Sequence, residues 1–206
     1  MFSYDIWNAL RSMRRNPILT SLMVAAIAVG IGVSISMLSV YHIMASNPIP
    51  HKSDQLFRVT LDSWGPLRPY DDSDPMKTPI QITYREATAL MRTGEASRQS
   101  AMFETGLVVE PDSPDLIPFE TRARAAFSDF FYLFDVPFLY GGPWDKLADD
   151  EAAQVVVLTP AINNKLFGGR DSVGEKILMG GRTFTVTGVI DRWEPMPRYY
   201  DTRNGP

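Results

Sequence analysis

The sequence predicts an α+β domain, a mixed sheet with short helices in one lobe or two, following one N-terminal transmembrane α-helix. Three observations predict it. Residues Ile18 to Val40 contain no charged side chain. Arg11, Arg14 and Arg15 stand immediately before that stretch, and the next formal charge is Lys52. Further on, β-branched runs such as Val155-Val156-Val157 alternate with Thr-Pro helix starts and Gly-Gly turns, a pattern that is neither all-helical nor doubly wound.

The apolar stretch comes first. At about 1.5 Å per residue it reaches across the roughly 30 Å hydrocarbon core of a bilayer. Its eleven Leu, Ile and Val residues contribute roughly −3 to −7 kcal/mol towards insertion. Thr20, Ser21, Ser34, Ser36 and Ser39 offset part of that. Basic residues gather on the cytoplasmic side, so the N-terminus is expected inside and everything after Asn47 outside. A cleaved secretory signal would have a shorter apolar core and a small-residue cleavage site. This stretch instead runs on into Tyr41, His42, Ile43 and Met44, so a retained anchor over residues 17–46 is expected.

Two features qualify the anchor. Phe2, Ile6, Ala9, Leu10 and Met13 recur at three- and four-residue steps, which predicts an amphipathic interfacial helix over 1–16. Trp7 would sit at headgroup level, and Arg11, Arg14 and Arg15 would set topology. Ser21, Ala25, Ala28, Gly32, Ser36 and Ser39 advance by three or four residues along one helical face. A small-residue face lets a second helix approach closely, and that helix would come from elsewhere.

The totals bound the remainder. The 206 residues carry a formal net charge of −4. The first fifty hold three arginines and one aspartate, leaving 17 basic against 23 acidic residues outside. An acidic domain is a poor nucleic-acid binder, because phosphate neutralisation needs clustered Lys and Arg. With no cysteine, the outer domain has no disulfide, thiolate metal site or cysteine nucleophile and is held by core packing.

Within residues 47–206, Leu56 to Leu61 alternates and reads as a strand. Asp71-Asp72-Ser73-Asp74-Pro75 reads as a solvated turn; it lacks the glycine and distal glutamate of a calcium loop. Thr78-Pro79 opens a helix expected to run to about Thr93. Strands are expected over 98–104, 106–110 and 117–125, and a short aromatic helix over Ser128 to Phe134. Gly141-Gly142-Pro143 is a break. Gln154 to Leu158 is a buried strand. Thr159-Pro160 caps a helix that stops at Gly168 and Gly169. Lys176 to Met179 and Arg182 to Ile190 flank Gly180 and Gly181, a two-residue hairpin turn that needs positive φ.

Candidate chemistry is sparse. Gly169 to Lys176 resembles a phosphate loop only briefly, since Glu175 intervenes and no Gly-Lys-Ser/Thr follows; it reads as a connecting turn. His42 and His51 lack zinc-ligand spacing and read as interface residues. No Gly-x-Ser-x-Gly elbow occurs, and Asp149-Asp150-Glu151 reads as a solvated run. No catalytic residue, metal ligand or cofactor is expected.

The order of features resembles the start of MacB-like and FtsX-like ABC transporter permeases. The resemblance rests on Val155-Val156-Val157-Leu158-Thr159, then Lys165-Leu166-Phe167-Gly168-Gly169, then Ser172-Val173-Gly174-Glu175-Lys176-Ile177, and Phe184-Thr185-Val186-Thr187-Gly188-Val189-Ile190. These are similar to the MacB-like periplasmic core domain. Asn47-Pro48-Ile49-Pro50 before Leu56-Phe57-Arg58-Val59, and Phe130 to Val136 before Gly141-Gly142, fit as well. The resemblance implies a non-enzymatic permease subunit in a bacterial inner membrane, with its main domain periplasmic. It implies a separate cytoplasmic ABC ATPase as partner, along with the lipid bilayer and further permease helices or a second permease subunit. Permeases of this kind have four membrane helices, so the chain is expected to be an N-terminal portion. The alternative is a single-pass, membrane-anchored periplasmic binding or scaffold module.

Overall fold

The structure is a computed structural model that describes residues 7, 15–63, 65 and 67–201. The chain divides into two compact units, Met1–Pro48 and Ile49–Pro206.

The first unit is dominated by α1 (Pro17–Ala45), 29 residues with none buried. Pro17 occupies the first turn, where its missing N–H is no loss. At about 1.5 Å per residue α1 spans roughly 43 Å, more than a hydrocarbon core needs. Four of its hydroxyls turn inward on their own backbone. Thr20 donates to the Asn16 carbonyl at 3.0 Å, Ser21 to Pro17 at 2.7 Å, Ser34 to Gly30 at 2.9 Å and Ser36 to Gly32 at 2.9 Å. Satisfied within the helix, these polar groups cost less in hydrocarbon than their number suggests. Ser46 ends the helix by turning to extended backbone, and its hydroxyl donates to the Ile43 carbonyl.

The second unit is a mixed α+β domain. Its elements run α2 (Tyr84–Met91), β1 (Met102–Glu110), β2 (Phe119–Ala126), α3 (Asp129–Leu133), β3 (Phe138–Gly141), α4 (Lys146–Asp150), β4 (Val155–Leu158), α5 (Pro160–Phe167), β5 (Lys176–Met179) and β6 (Arg182–Ile190). One six-stranded sheet joins them in the order β2-β1-β5-β6-β3, with β4 also paired to β6. β4 runs parallel to β6 across the α5 crossover, and the other pairings are antiparallel.

Two clusters fill the interior. Val109, Leu158, Ile177, Met179, Val186 and Val189 form one, under α5. Phe130, Phe131, Phe134 and Val136 form the other, around α3.

The C-terminal half follows its local signals. Thr159 caps α5, accepting from the Ile162 N–H, and Pro160 takes the first turn. The N-terminal half departs from expectation. Leu56 to Leu61 belongs to neither helix nor strand: Leu56 packs into the α3 cluster, and Arg58 Nη2 donates to the Ile80 carbonyl at 2.6 Å. α2 starts not at Thr78-Pro79 but after Thr83. There Thr83 and Glu86 make a reciprocal capping box that satisfies the first turn. The strands expected at 98–104 and 106–110 are one strand, β1, because Gly106 continues the ladder opposite Arg122.

Candidate functional site

Of the residues singled out in the anchor, Ser21, Ala25, Ala28, Gly32, Ser36 and Ser39 lie on α1 and are all exposed. Around Gly30 and Gly32 there is open space for an added Cβ. Trp7 is 63% exposed, and Arg15 is exposed too. Arg11, Arg14 and the other residues of 1–6 and 8–14 in the expected helix lie outside the described residues.

The four turn glycines stand in the outer domain in left-handed backbone: Gly168 at φ 65°, Gly169 at 82°, Gly180 at 56° and Gly181 at 74°. Gly168 closes α5 by donating its N–H to the Asn163 and Asn164 carbonyls. Behind it, Asn163 and Ser172 are buried together. Ser172 Oγ donates to Asn163 Oδ1 at 2.7 Å, and Asn163 Nδ2 donates to the Arg170 carbonyl at 2.9 Å. The segment from Gly169 to Lys176 is therefore a turn locked to its helix.

The densest convergence of polar and aromatic groups surrounds α3. The chain leaving the anchor forms a compact turn, with the Lys52 and Ser53 N–H groups donating to the Ile49 carbonyl at 3.1 and 3.0 Å, and Ile49 is 4% exposed. Lys52 Nζ then donates to the Tyr132 carbonyl at 2.8 Å and to Asp135 Oδ1. His51 Nε2 lies 2.7 Å from Asp135 Oδ2. The Lys52 bond holds the Asp135 carboxyl below the usual aspartate range; the His51 bond adds to this and partial burial opposes it. Asp135 itself sits at φ 47°, a region that non-glycine residues seldom occupy.

The segment after β6 closes on the same helix. Tyr199 Oη donates to the Phe134 carbonyl at 2.9 Å, and burial pushes its phenol pKa up. Trp193 and Tyr200 stack at 4.7 Å, and both meet the Phe130 ring edge-on. Arg124 pairs with Asp201 at 3.0 Å and lies over the Tyr200 ring.

Asp149 is not the solvated carboxylate expected from its polar run. Its Oδ2 accepts from the Ser128 N–H at 2.8 Å and the Ser128 hydroxyl at 2.6 Å, and its Oδ1 from Trp144 Nε1 at 2.7 Å. It satisfies the backbone N–H of Ser128, the N-cap residue of α3, much as the carboxylate of a capping box does. Neither Asp135 nor Asp149 was marked by a local motif. Asp145, which caps α4 through the Ala148 N–H, was the one sequence signal that a helix would carry Asp149 inward.

Among the described residues no group of three or more His, Asp or Glu side chains is placed to hold a metal. The Asp71 loop is tied by Lys77 Nζ at 2.5 Å and the Ser73 N–H at 2.9 Å, which hold the Asp71 carboxyl well below its ordinary range. The arrangement around α3 fastens segments of chain together; its carboxylates are occupied by lysine, histidine, serine and tryptophan donors from the domain itself.

A long apolar helix followed by such a domain defines a membrane-anchored α+β protein. The chain belongs to the MacB-like periplasmic core domain family, whose model matches residues 20–202. That family is the periplasmic domain of ABC-type transporter permeases, so the domain is extracytoplasmic. Two solved structures are similar to the chain. One is the periplasmic region of MacB from Actinobacillus actinomycetemcomitans, at 17% identity and TM-score 0.46, covering 54% of this chain and 51% of that one. The other is the extracellular domain of the ABC-type transporter YknZ from Gram-positive bacteria, at 14% identity and TM-score 0.48, covering 60% and 64%. The chain thus spans about half of the first and less than two thirds of the second. No curated protein matches the sequence.

Proposed function

We propose that the chain acts as a permease subunit of an ABC transporter. α1 crosses the cytoplasmic membrane with its N-terminus inside. The domain after Asn47 stands outside and converts movement driven by a separate cytoplasmic ATPase into action on a substrate or partner protein. The observation that carries this reading is the family match running unbroken from residue 20 to residue 202. It takes in most of the anchor together with the outer domain, so the two belong to one functional module. The uncharged α1 and the preceding arginines support the orientation. The face of Ser21, Ala25, Ala28, Gly32, Ser36 and Ser39 is assigned to packing against further permease helices or a second permease subunit.

The absence of cysteine makes the test direct. A Phe57→Cys chain is expected to react with a membrane-impermeant maleimide in intact spheroplasts, and an Arg15→Cys chain only after lysis. Affinity purification from membranes is expected to bring down an ABC ATPase, and Gly32→Leu to reduce its recovery. Labelling with the reverse sidedness overturns the orientation. Capture of a defined partner by residues 49–206, with no ATPase recovered from the full chain, favours the binding-module alternative.

A further inference from the structure

We propose that α3 with its C-terminal residues Phe134 and Asp135 is the coupling element of the outer domain, through which a displacement of the chain leaving the anchor is delivered to the sheet. This rests on the permease reading, but the measurements below need no ATPase and so fail or succeed apart from it.

The path of the chain comes first. Between the turn at residues 49–55 and α2, the described residues of the stretch 56–83 form no helix or strand. Phe57, Leu67 and Met76 project from this stretch at 84, 94 and 88% exposure. A long segment without regular structure is soft, since it opens at low free energy and resists extension mainly by entropy. A pull on residues 49–55 reaches the sheet through side-chain ties before it travels along this stretch. The charged ties converge on Asp135, through His51 Nε2 and Lys52 Nζ, with Lys52 also held by the Tyr132 carbonyl.

The second observation is the conformation of Asp135. Its φ of 47° suits glycine. An aspartate stands there, and both of its carboxylate oxygens are engaged by the segment leaving the anchor.

The third is what α3 grips beyond that. Phe131 packs on Phe138 of β3 at 5.4 Å and on Trp144 at 4.8 Å. Val157 of β4 and Ile190 of β6 pack against the same cluster. Ser128 is held by Asp149 of α4, and the Phe134 carbonyl by Tyr199 beyond β6. The helix therefore joins the chain coming from the anchor to three strands and to the segment leaving the sheet.

The experiment is a double-mutant cycle on the full chain in lipid nanodiscs, read by amide hydrogen exchange. Asp135→Gly removes the carboxylate while relaxing the backbone; Tyr199→Phe removes the hydroxyl on the far side of α3. Each single variant is expected to speed exchange in residues 128–136 and in Val155–Leu158. The double variant should depart from the product of the two by about threefold or more, the low end of non-additivity between coupled sites. Effects that simply multiply, or faster exchange confined to residues 49–56, overturn the proposal, because a purely local tie predicts both. If Asp135→Gly lowers the thermal midpoint, Lys52→Gln replaces it in the cycle with the backbone untouched.

Discussion

Asn163 and Ser172 show how much a single buried pair decides. They are 1% and 0% exposed and consume each other's hydrogen-bonding capacity nine residues apart. Ser172→Ala leaves Asn163 Oδ1 without its donor and is expected to cost about 1–3 kcal/mol, read as a lower urea midpoint with an unchanged m-value. Glycines differ in the same concrete way. A Cβ at Gly180 would meet the tip of Leu107 at 3.3 Å, whereas one at Gly141 would fall 2.2 Å from the Thr187 carbonyl oxygen. Gly180→Ala is therefore expected to cost about 1 kcal/mol for its positive φ. Gly141→Ala should cost clearly more, because backbone cannot swing aside; parallel denaturation curves check the order. Asp135 adds a pH dependence. Its folded pKa is lowered by Lys52, so its contribution is complete above the ordinary value of 3.8 and fades as pH falls through the lowered one. The stability gap between the native chain and Asp135→Asn should shrink as urea titrations are moved from pH 7 towards pH 2.

At the scale of elements, α3 is held in place by α4. It is a five-residue helix without a side-chain cap of its own, too short to persist alone. Asp149 accepts from the N–H and hydroxyl of Ser128 at the start of α3 and fixes Trp144 against Phe131. Asp149→Ala should cost about 2–4 kcal/mol, since a charge-assisted acceptor shared by three donors is removed. Trp144 emission should shift to the red at the same time; an unshifted spectrum would mean the indole is positioned by packing alone. The contrast with α5 is instructive. Its cap, its proline and its left-handed stop lie within ten residues, so its limits could be read directly. α2 begins later than Thr78-Pro79 led one to expect, because the capping box of Thr83 and Glu86 satisfies donors at both ends of the first turn, with Ser63 reinforcing Glu86. Leu56 to Leu61 had the alternation of a strand but no neighbouring strand to complete it, and alternation alone forms no ladder.

For the whole molecule, the anchor governs where everything else resides. A charge at its centre is the sharpest probe: Val29→Arg should raise the cost of insertion by about 2.5–3.5 kcal/mol and move protein from the membrane to the soluble fraction after carbonate extraction. Partial extraction of the native chain itself would argue against a spanning helix. The anchor was legible from composition because hydrocarbon excludes charge along any contiguous stretch, whatever its neighbours. α5 and the β5–β6 hairpin were legible for a related reason, since caps and turns act within a few residues of chain. The clasp of His51 and Lys52 on Asp135 joins residues more than eighty positions apart, Asp149 reaches back twenty-one to Ser128, and β4 pairs with β6 across a helix. Sequence alone determined an anchored α+β chain and its C-terminal half. Which carboxylates point inward and which segments grip α3 was decided only when the fold brought distant donors to them, because a hydrogen bond depends on distance in space and not on separation along the chain.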